Sequence, residues 1–344
     1  GDWYWIPSRV IPGEPITEFP FFTFLYADPH AHLFALPITV LGLLWIISFL
    51  KLNINKDFLA GRSHWLQLLL IMITGGIIIG ALRPTNTWDF PTFLTLGGVA
   101  VVYSFLSSPL KTRIFGIDLS ARIPKLITAF IGAGLFVFLA FVLYQPYADW
   151  YGQGYTTVEL WKGDRTPIQS YLTHWGVFLF IITSWFVWES RDWMANTPAS
   201  ALNKLRPYQV IIQGALIFLV VVGLGLLFWG VKVAIIALPL AAWAAVLILR
   251  PGQPVEKRTV LFITGTALVL TLLVEATTLK GDLGRMNCVF KFYLQAWTLL
   301  SLSAAAGLIW LISSVLPGWR PRIQKVWQAV LVLGLFGAAL FPLM

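Results

Sequence analysis

Two carboxylates and two of the chain's four histidines crowd into one short run, Glu18-Phe-Pro-Phe-Phe-Thr-Phe-Leu-Tyr-Ala-Asp28-Pro-His30-Ala-His32. Asp28-x-His30-x-His32 sets three proton carriers or metal ligands within five residues. In an extended chain, positions two apart share a face and all three converge; in a helix, 28 and 32 align while His30 turns away. The chemistry offered is a divalent metal site or a general acid/base cluster. The competing account is helix capping, with Asp28 as N-cap, Pro29 at the first helical position and the histidines at an interface. Glu18, beside Phe19 and Pro20, would be costly to bury as an ion and must then find a basic partner or give up its charge. Otherwise it is a wet loop residue among interfacial aromatics.

Three further stretches carry polar residues that simple connectors do not need. Arg83 and Asp89 flank a turn with Trp88, where Asp89 either contacts substrate or caps the helix that follows, and Trp88 either does the same or joins an aromatic belt. Lys280, Arg285 and Lys291 cluster around Asn287 and Tyr293, and such cations suit a phosphate group; snorkelling explains Lys291 alone but less readily all three. The segment from Gln145 to Thr173, followed by His174, is rich in Trp, Tyr, Gln and Gly, a weak signal for sugar rings.

The elements that must position these groups are apolar. Of 344 residues, 58% are hydrophobic and 11% charged, with a mean hydropathy of +0.78; soluble domains carry about 25% charged residues. An all-α, polytopic integral membrane protein follows. The single cysteine excludes an internal disulfide and a cysteine metal cluster. Apolar runs of spanning length occur near 33–50, 65–82, 91–107, 126–144, 174–188, 209–229, 231–249, 259–275, 295–316 and 327–343. About ten transmembrane helices in one transmembrane domain, 1–344, are therefore expected. With Gly1 in place of an initiator methionine, the chain is expected to be a C-terminal part of a longer protein.

Alternating the loops puts 16 of the 24 Lys and Arg on one side with five acids, a charge of +11, and leaves −2 opposite. The positive-inside rule makes the basic side cytoplasmic, so the net charge of +9 reflects topology and not nucleic acid. The Glu18–His32, Arg83–Asp89, Gln145–His174 and Glu275–Tyr293 segments then all face outward.

Asp2-Trp-Tyr-Trp5-Ile-Pro7-Ser8-Arg9, Glu18-Phe-Pro20-Phe-Phe, Asp28-x-His30-x-His32 with Ala-Leu-Pro37, Trp88-Asp89-x-Pro91 and Met286-Asn287-x-Val-Phe290-Lys291-Phe-Tyr293-x-Gln295-x-Trp297 form five ordered blocks. Together they resemble the large bacterial and archaeal membrane proteins of the YYY domain (DUF2298) family. The last two apolar runs carry no block, and the Asn-Tyr-Tyr-Tyr motif behind the family's name is not in this sequence. The family in turn resembles the GT-C glycosyltransferases, polytopic enzymes that use polyprenyl-phosphate-linked sugars and place an acidic catalytic residue in an outward loop, usually the first. The resemblance implies Glu18 or Asp28 as acid/base, His30 and His32 as their partners, and Arg285 and Lys291 as donor-phosphate contacts, with His32, Arg83, Trp88, Asp89, Asn287 and Tyr293 completing the substrate site.

The expected function is sugar transfer from a polyprenyl-phosphate donor to an acceptor on the outer face of a bacterial or archaeal cell membrane, with membrane lipids and other membrane subunits as further partners. Two alternatives stay open: a non-catalytic subunit of a membrane assembly, and a transporter or flippase for a lipid-linked substrate. The helix centres are nearly free of charge, which counts against transport.

Overall fold

In hydrocarbon every backbone polar group must be satisfied internally, and the apolar runs accordingly form helices. A computed structural model describes residues 5–13, 15–27, 29–52, 62–107, 113–114, 117–118, 122–152, 157–280 and 283–343. Among the described residues, nine helices are long and apolar enough to cross a membrane, and a tenth apolar helix is shorter. All ten expected spans are matched. The contacts group into two units, 23–153 and 1–22 with 154–344.

A 3-10 turn at Ile6–Ser8 precedes the short helix α1 (Pro20–Tyr26). The 23–153 unit is then built from α2 (Ala31–Lys51), α3 (Arg62–Gly80), α4 (Leu82–Thr85), α5 (Phe90–Ser107), a two-residue ribbon β1 (Arg113–Ile114) and β2 (Ile117–Asp118), α6 (Arg122–Val142) and α7 (Gln145–Trp150). Between apolar helices in lipid, small residues permit the close approach that dispersion rewards. Gly76 and Gly80 of α3 do this against α6: a Cβ at Gly76 would lie 2.8 Å from Leu139 Cβ, and one at Gly80 2.7 Å from the Ala140 carbonyl oxygen. Trp45 Nε1 donates to the Ile71 carbonyl at 2.9 Å, fixing α2 on α3.

The other unit contains β3 (Val158–Leu160), α8 (Ile168–Ala195), a 3-10 segment (Ala199–Tyr208), α9 (Gln209–Phe228), α10 (Ala234–Ile248), α11 (Val255–Ala276), β4 (Thr277–Leu279), α12 (Arg285–Trp310) and α13 (Pro321–Leu343). Its core lies where α11 packs on α10 and α12, and α12 on α8. β3 and β4 form an antiparallel ribbon with Val158 opposite Leu279 and Leu160 opposite Thr277. Beyond Trp310, α12 runs on through a π turn, Leu311–Val315, and a 3-10 turn, Leu316–Gly318.

Several helices start earlier than expected, two of them for one reason. The fifth run, read as 174–188, is helical from Ile168, and the ninth, read as 295–316, is helical from Arg285. Arg285, Asn287, Lys291, Tyr293 and His174 thus stand on helices and not in loops. Hydropathy windows penalise their charge, but the packed interior supplies the partners that make helix possible there. In the other direction, the fifteen residues of α10 reach only about 22 Å at 1.5 Å per residue, less than a full hydrocarbon core.

Candidate functional site

At one end of the larger unit a fully buried carboxylate organises four elements. Glu275, the penultimate residue of α11, has no exposed surface, and Arg285 opening α12 is 4% exposed. Arg285 Nη2 donates to Glu275 Oε1 at 2.5 Å and to Thr166 Oγ1 at 2.7 Å, while its Nε donates to the Val274 carbonyl at 3.2 Å. Thr166 closes the ring: its backbone N–H donates to Glu275 Oε2 at 3.0 Å and its hydroxyl to Oε1. An isolated ion here would be prohibitive, and the pairing with Arg285 and the hydrogen bonds from Thr166 offset that cost.

Arg165 connects this network to open space. Its Nη1 donates to the Glu275 carbonyl and its Nη2 to the Trp161 carbonyl at 2.6 Å, with the guanidinium 4.6 Å from the centre of the Trp229 ring. Burial lowers its pKa; the Glu275 charge opposes the shift and the Arg285 charge adds to it. Beside it lies a cleft of about 470 Å³ lined by Lys162, Gly163, Asp164, Arg165, Thr166, Pro167, Trp229, Gly230 and Lys232. Gly230 holds the left-handed conformation, φ +84°, which the tight α9–α10 turn demands and a side chain disfavours.

The aromatic neighbourhood adjoins the same helices. His174 stacks on Tyr293 with ring centres 5.6 Å apart, and Trp175 meets both rings edge-on at 4.3 and 5.0 Å. His174 Nε2 and Trp175 Nε1 are enclosed, with no hydrogen-bond partner among the described residues. Phe19 stacks on Trp297 at 6.3 Å, which Phe178 meets edge-on at 5.0 Å. Glu18 and Lys291 are withdrawn from solvent, 9% and 6% exposed, and the Lys291 ammonium lies 4.6 Å from the Phe290 ring centre. Arg9 covers the Trp5 ring at 4.5 Å; burial lowers its pKa and the Glu18 charge pulls it back up. The Glu18 and Met286–Trp297 blocks, far apart in sequence, thus meet in one unit.

The remaining expected residues belong to the 23–153 unit. His30 is exposed and His32 buried, their rings 5.3 Å apart. Asp28 lies outside the described residues. Among the described residues, which leave out Asp28, no three His, Cys, Asp or Glu side chains gather to hold a metal ion. The capping assignment needs correction: α2 starts at Ala31, and His30, extended at φ −81° and ψ 153°, is the N-cap, with no side-chain cap bond. Pro29 directly precedes the cap, where its ring-fixed φ suits the approach. Asp89 directly precedes α5, is 5% exposed, and accepts a hydrogen bond from Asn86 Nδ2 at 2.9 Å. Half-buried Trp88 stands beside it. Arg83 lies over the Phe141 ring at 5.0 Å. Nearby, burial and the neighbouring Tyr151 raise the Tyr147 pKa.

The cationic cluster read as Lys280, Arg285 and Lys291 is divided in the structure. Lys280 is 70% exposed beside Glu159 at 3.8 Å, Arg285 is committed to Glu275, and Lys291 sits in the aromatic layer. Sequence reasoning missed the cleft cations Lys162, Arg165 and Lys232, together with Glu275 and Thr166. A lone carboxylate at the end of an apolar run, ten residues before an arginine, was the available signal for Glu275; nothing local joins Lys162 to Lys232.

Residues 1–300 match the family model described as Uncharacterized membrane protein (DUF2298). No curated protein and no solved structure matches the chain.

Proposed function

From the premise that this chain belongs to the DUF2298 family of membrane proteins, we propose that it is a membrane glycosyltransferase moving a sugar from a polyprenyl-phosphate donor to an acceptor on the outer face of the cell membrane. The observation that carries this reading is the meeting of the Glu18 block with the Met286–Trp297 block through Phe19 and Trp297. It brings a withdrawn carboxylate, a withdrawn ammonium and an aromatic layer into one unit built of apolar helices.

In the reaction the acceptor hydroxyl oxygen attacks the anomeric carbon, the carbon–oxygen bond to phosphate breaks, and polyprenyl phosphate departs with the bonding electrons. Glu18 takes or orients the acceptor proton. Lys291 offsets the charge that grows on the departing phosphate. Arg285, whose guanidinium is engaged by Glu275 and Thr166, holds the first turn of α12 in place. The Tyr293 and Trp175 rings, packed inside the unit, position α12 against α8. Asn287, on the same helix as Lys291, is a further substrate contact in this proposal.

The test is release of free polyprenyl phosphate from a panel of polyprenyl-phosphate hexoses by the protein in liposomes. Glu18→Gln is expected to lower turnover at least about a hundredfold, as loss of a general acid/base does, with the melting temperature in detergent unchanged. Equal turnover in the variant removes Glu18 from catalysis. Absence of release with every donor favours the non-catalytic subunit.

A further inference from the structure

Apart from the motif residues, the cleft between the β3–α8 connection and the α9–α10 turn has no assigned role. We infer that it is a binding site for a phosphate-bearing anion, held by Lys162, Arg165 and Lys232. The cleft, about 470 Å³, falls within the usual range for small-molecule sites, roughly 300–1,000 Å³. Three basic side chains line it against one acid, Asp164, which leaves an excess of two positive charges.

The three cations are not equivalent. Arg165 is fixed, its Nη atoms bonded to the Glu275 and Trp161 carbonyls and its plane beside Trp229. A guanidinium oriented in this way presents its remaining N–H groups at a set angle, which suits tetrahedral oxyanions. Lys162 and Lys232 are exposed and have no side-chain partner among the described residues; they supply mobile charge. The Glu275 charge is matched by that of Arg285, so this buried pair leaves the surplus of the cleft unchanged. A multiply charged group with several acceptor oxygens satisfies three cations where a single carboxylate does not. Trp229 and Lys232 directly follow the apolar α9, so the cleft is within reach of a lipid headgroup as well as of a soluble anion. This inference does not depend on the sugar-transfer reaction.

The experiment uses the full chain in phosphatidylcholine nanodiscs, titrated calorimetrically with farnesyl phosphate and with inorganic pyrophosphate, and with farnesol as the uncharged control. Saturable binding of at least one phosphate probe is expected, no binding of farnesol, and at least about tenfold weaker binding by the Lys162→Gln/Lys232→Gln double variant, in keeping with loss of charge-assisted contacts. Binding of farnesyl phosphate without competition from pyrophosphate assigns a lipid headgroup; equal competition assigns a soluble anion. Failure of both probes to bind, or undiminished binding by the variant, overturns the site. Should the double variant melt early, the two single variants replace it, each with at least about a threefold loss expected.

Discussion

α11 carries an ion cluster near each end, at Lys257 and at Glu275, about 27 Å apart along the helix, and the two differ in how their charge is balanced. At the Lys257 end, Glu189 of α8 is 1% exposed. It accepts from Arg250 Nη1 at 2.8 Å, from Trp185 Nε1 at 3.0 Å and from Lys257, and Arg250 also reaches Asp192 at 2.5 Å. Two acids meet two bases, and the Lys257 ammonium is capped by the Trp310 ring at 5.6 Å. At the Glu275 end, one acid meets two arginines, and Lys162 and Lys232 stand close by with only Asp164 to offset them. The first cluster is closed and consistent with a purely structural bolt between α8, α11 and the α10–α11 turn. The second is closed on its buried side and open, with surplus positive charge, on the other.

Substitutions test that contrast. The largest effect is expected for Glu189→Ala, which removes the buried carboxylate shared by half-buried Arg250 and Lys257 and leaves Arg250 with Asp192 alone; breaking a buried pair typically costs about 3–5 kcal/mol, and a steep fall in melting temperature and in folded yield from detergent is expected. Arg285→Met leaves one buried carboxylate unpaired and is expected to cost a similar but smaller amount, with Thr166 still donating to Glu275. If Arg285→Met melts like the unaltered protein, the Glu275 cluster is not the bolt its geometry suggests. The smallest effect is expected for Lys280→Gln: its ion pair with Glu159 is 3.8 Å long and largely solvated, worth about 0.5 kcal/mol or less, below the resolution of a melting curve.

The helices were legible because a membrane span is written as a long apolar run, and each of the ten runs has its helix. The helix starts at Ile168 and Arg285 were not, since polar residues satisfied by distant partners look like loop to any local window. The site was legible in part. The Glu18 and Met286–Trp297 blocks stood out, yet their meeting through Phe19 and Trp297 depends on tertiary packing. Lys162 and Lys232 come together because the chain returns after two helices, and Glu275 gained its meaning only from Thr166 and Arg285. At Pro29 the proline itself was the clue, but it marked the approach to the cap and not the first turn.

The β3–β4 ribbon has a consequence for how the cleft would respond to an occupant. Trp161 N–H donates to the Ala276 carbonyl at 2.9 Å and Lys280 N–H to the Thr157 carbonyl at 2.9 Å, so the ladder extends past both strand ends and clips the segment carrying Lys162 and Arg165 to the α11–α12 connection. The loop is therefore shaped before anything enters it. A guest would be spared the entropy of ordering the backbone and would immobilise only two lysine side chains, each about 0.5–1.5 kcal/mol. Association would then resemble filling a mould more than closing a lid, with an encounter rate set by ionic strength.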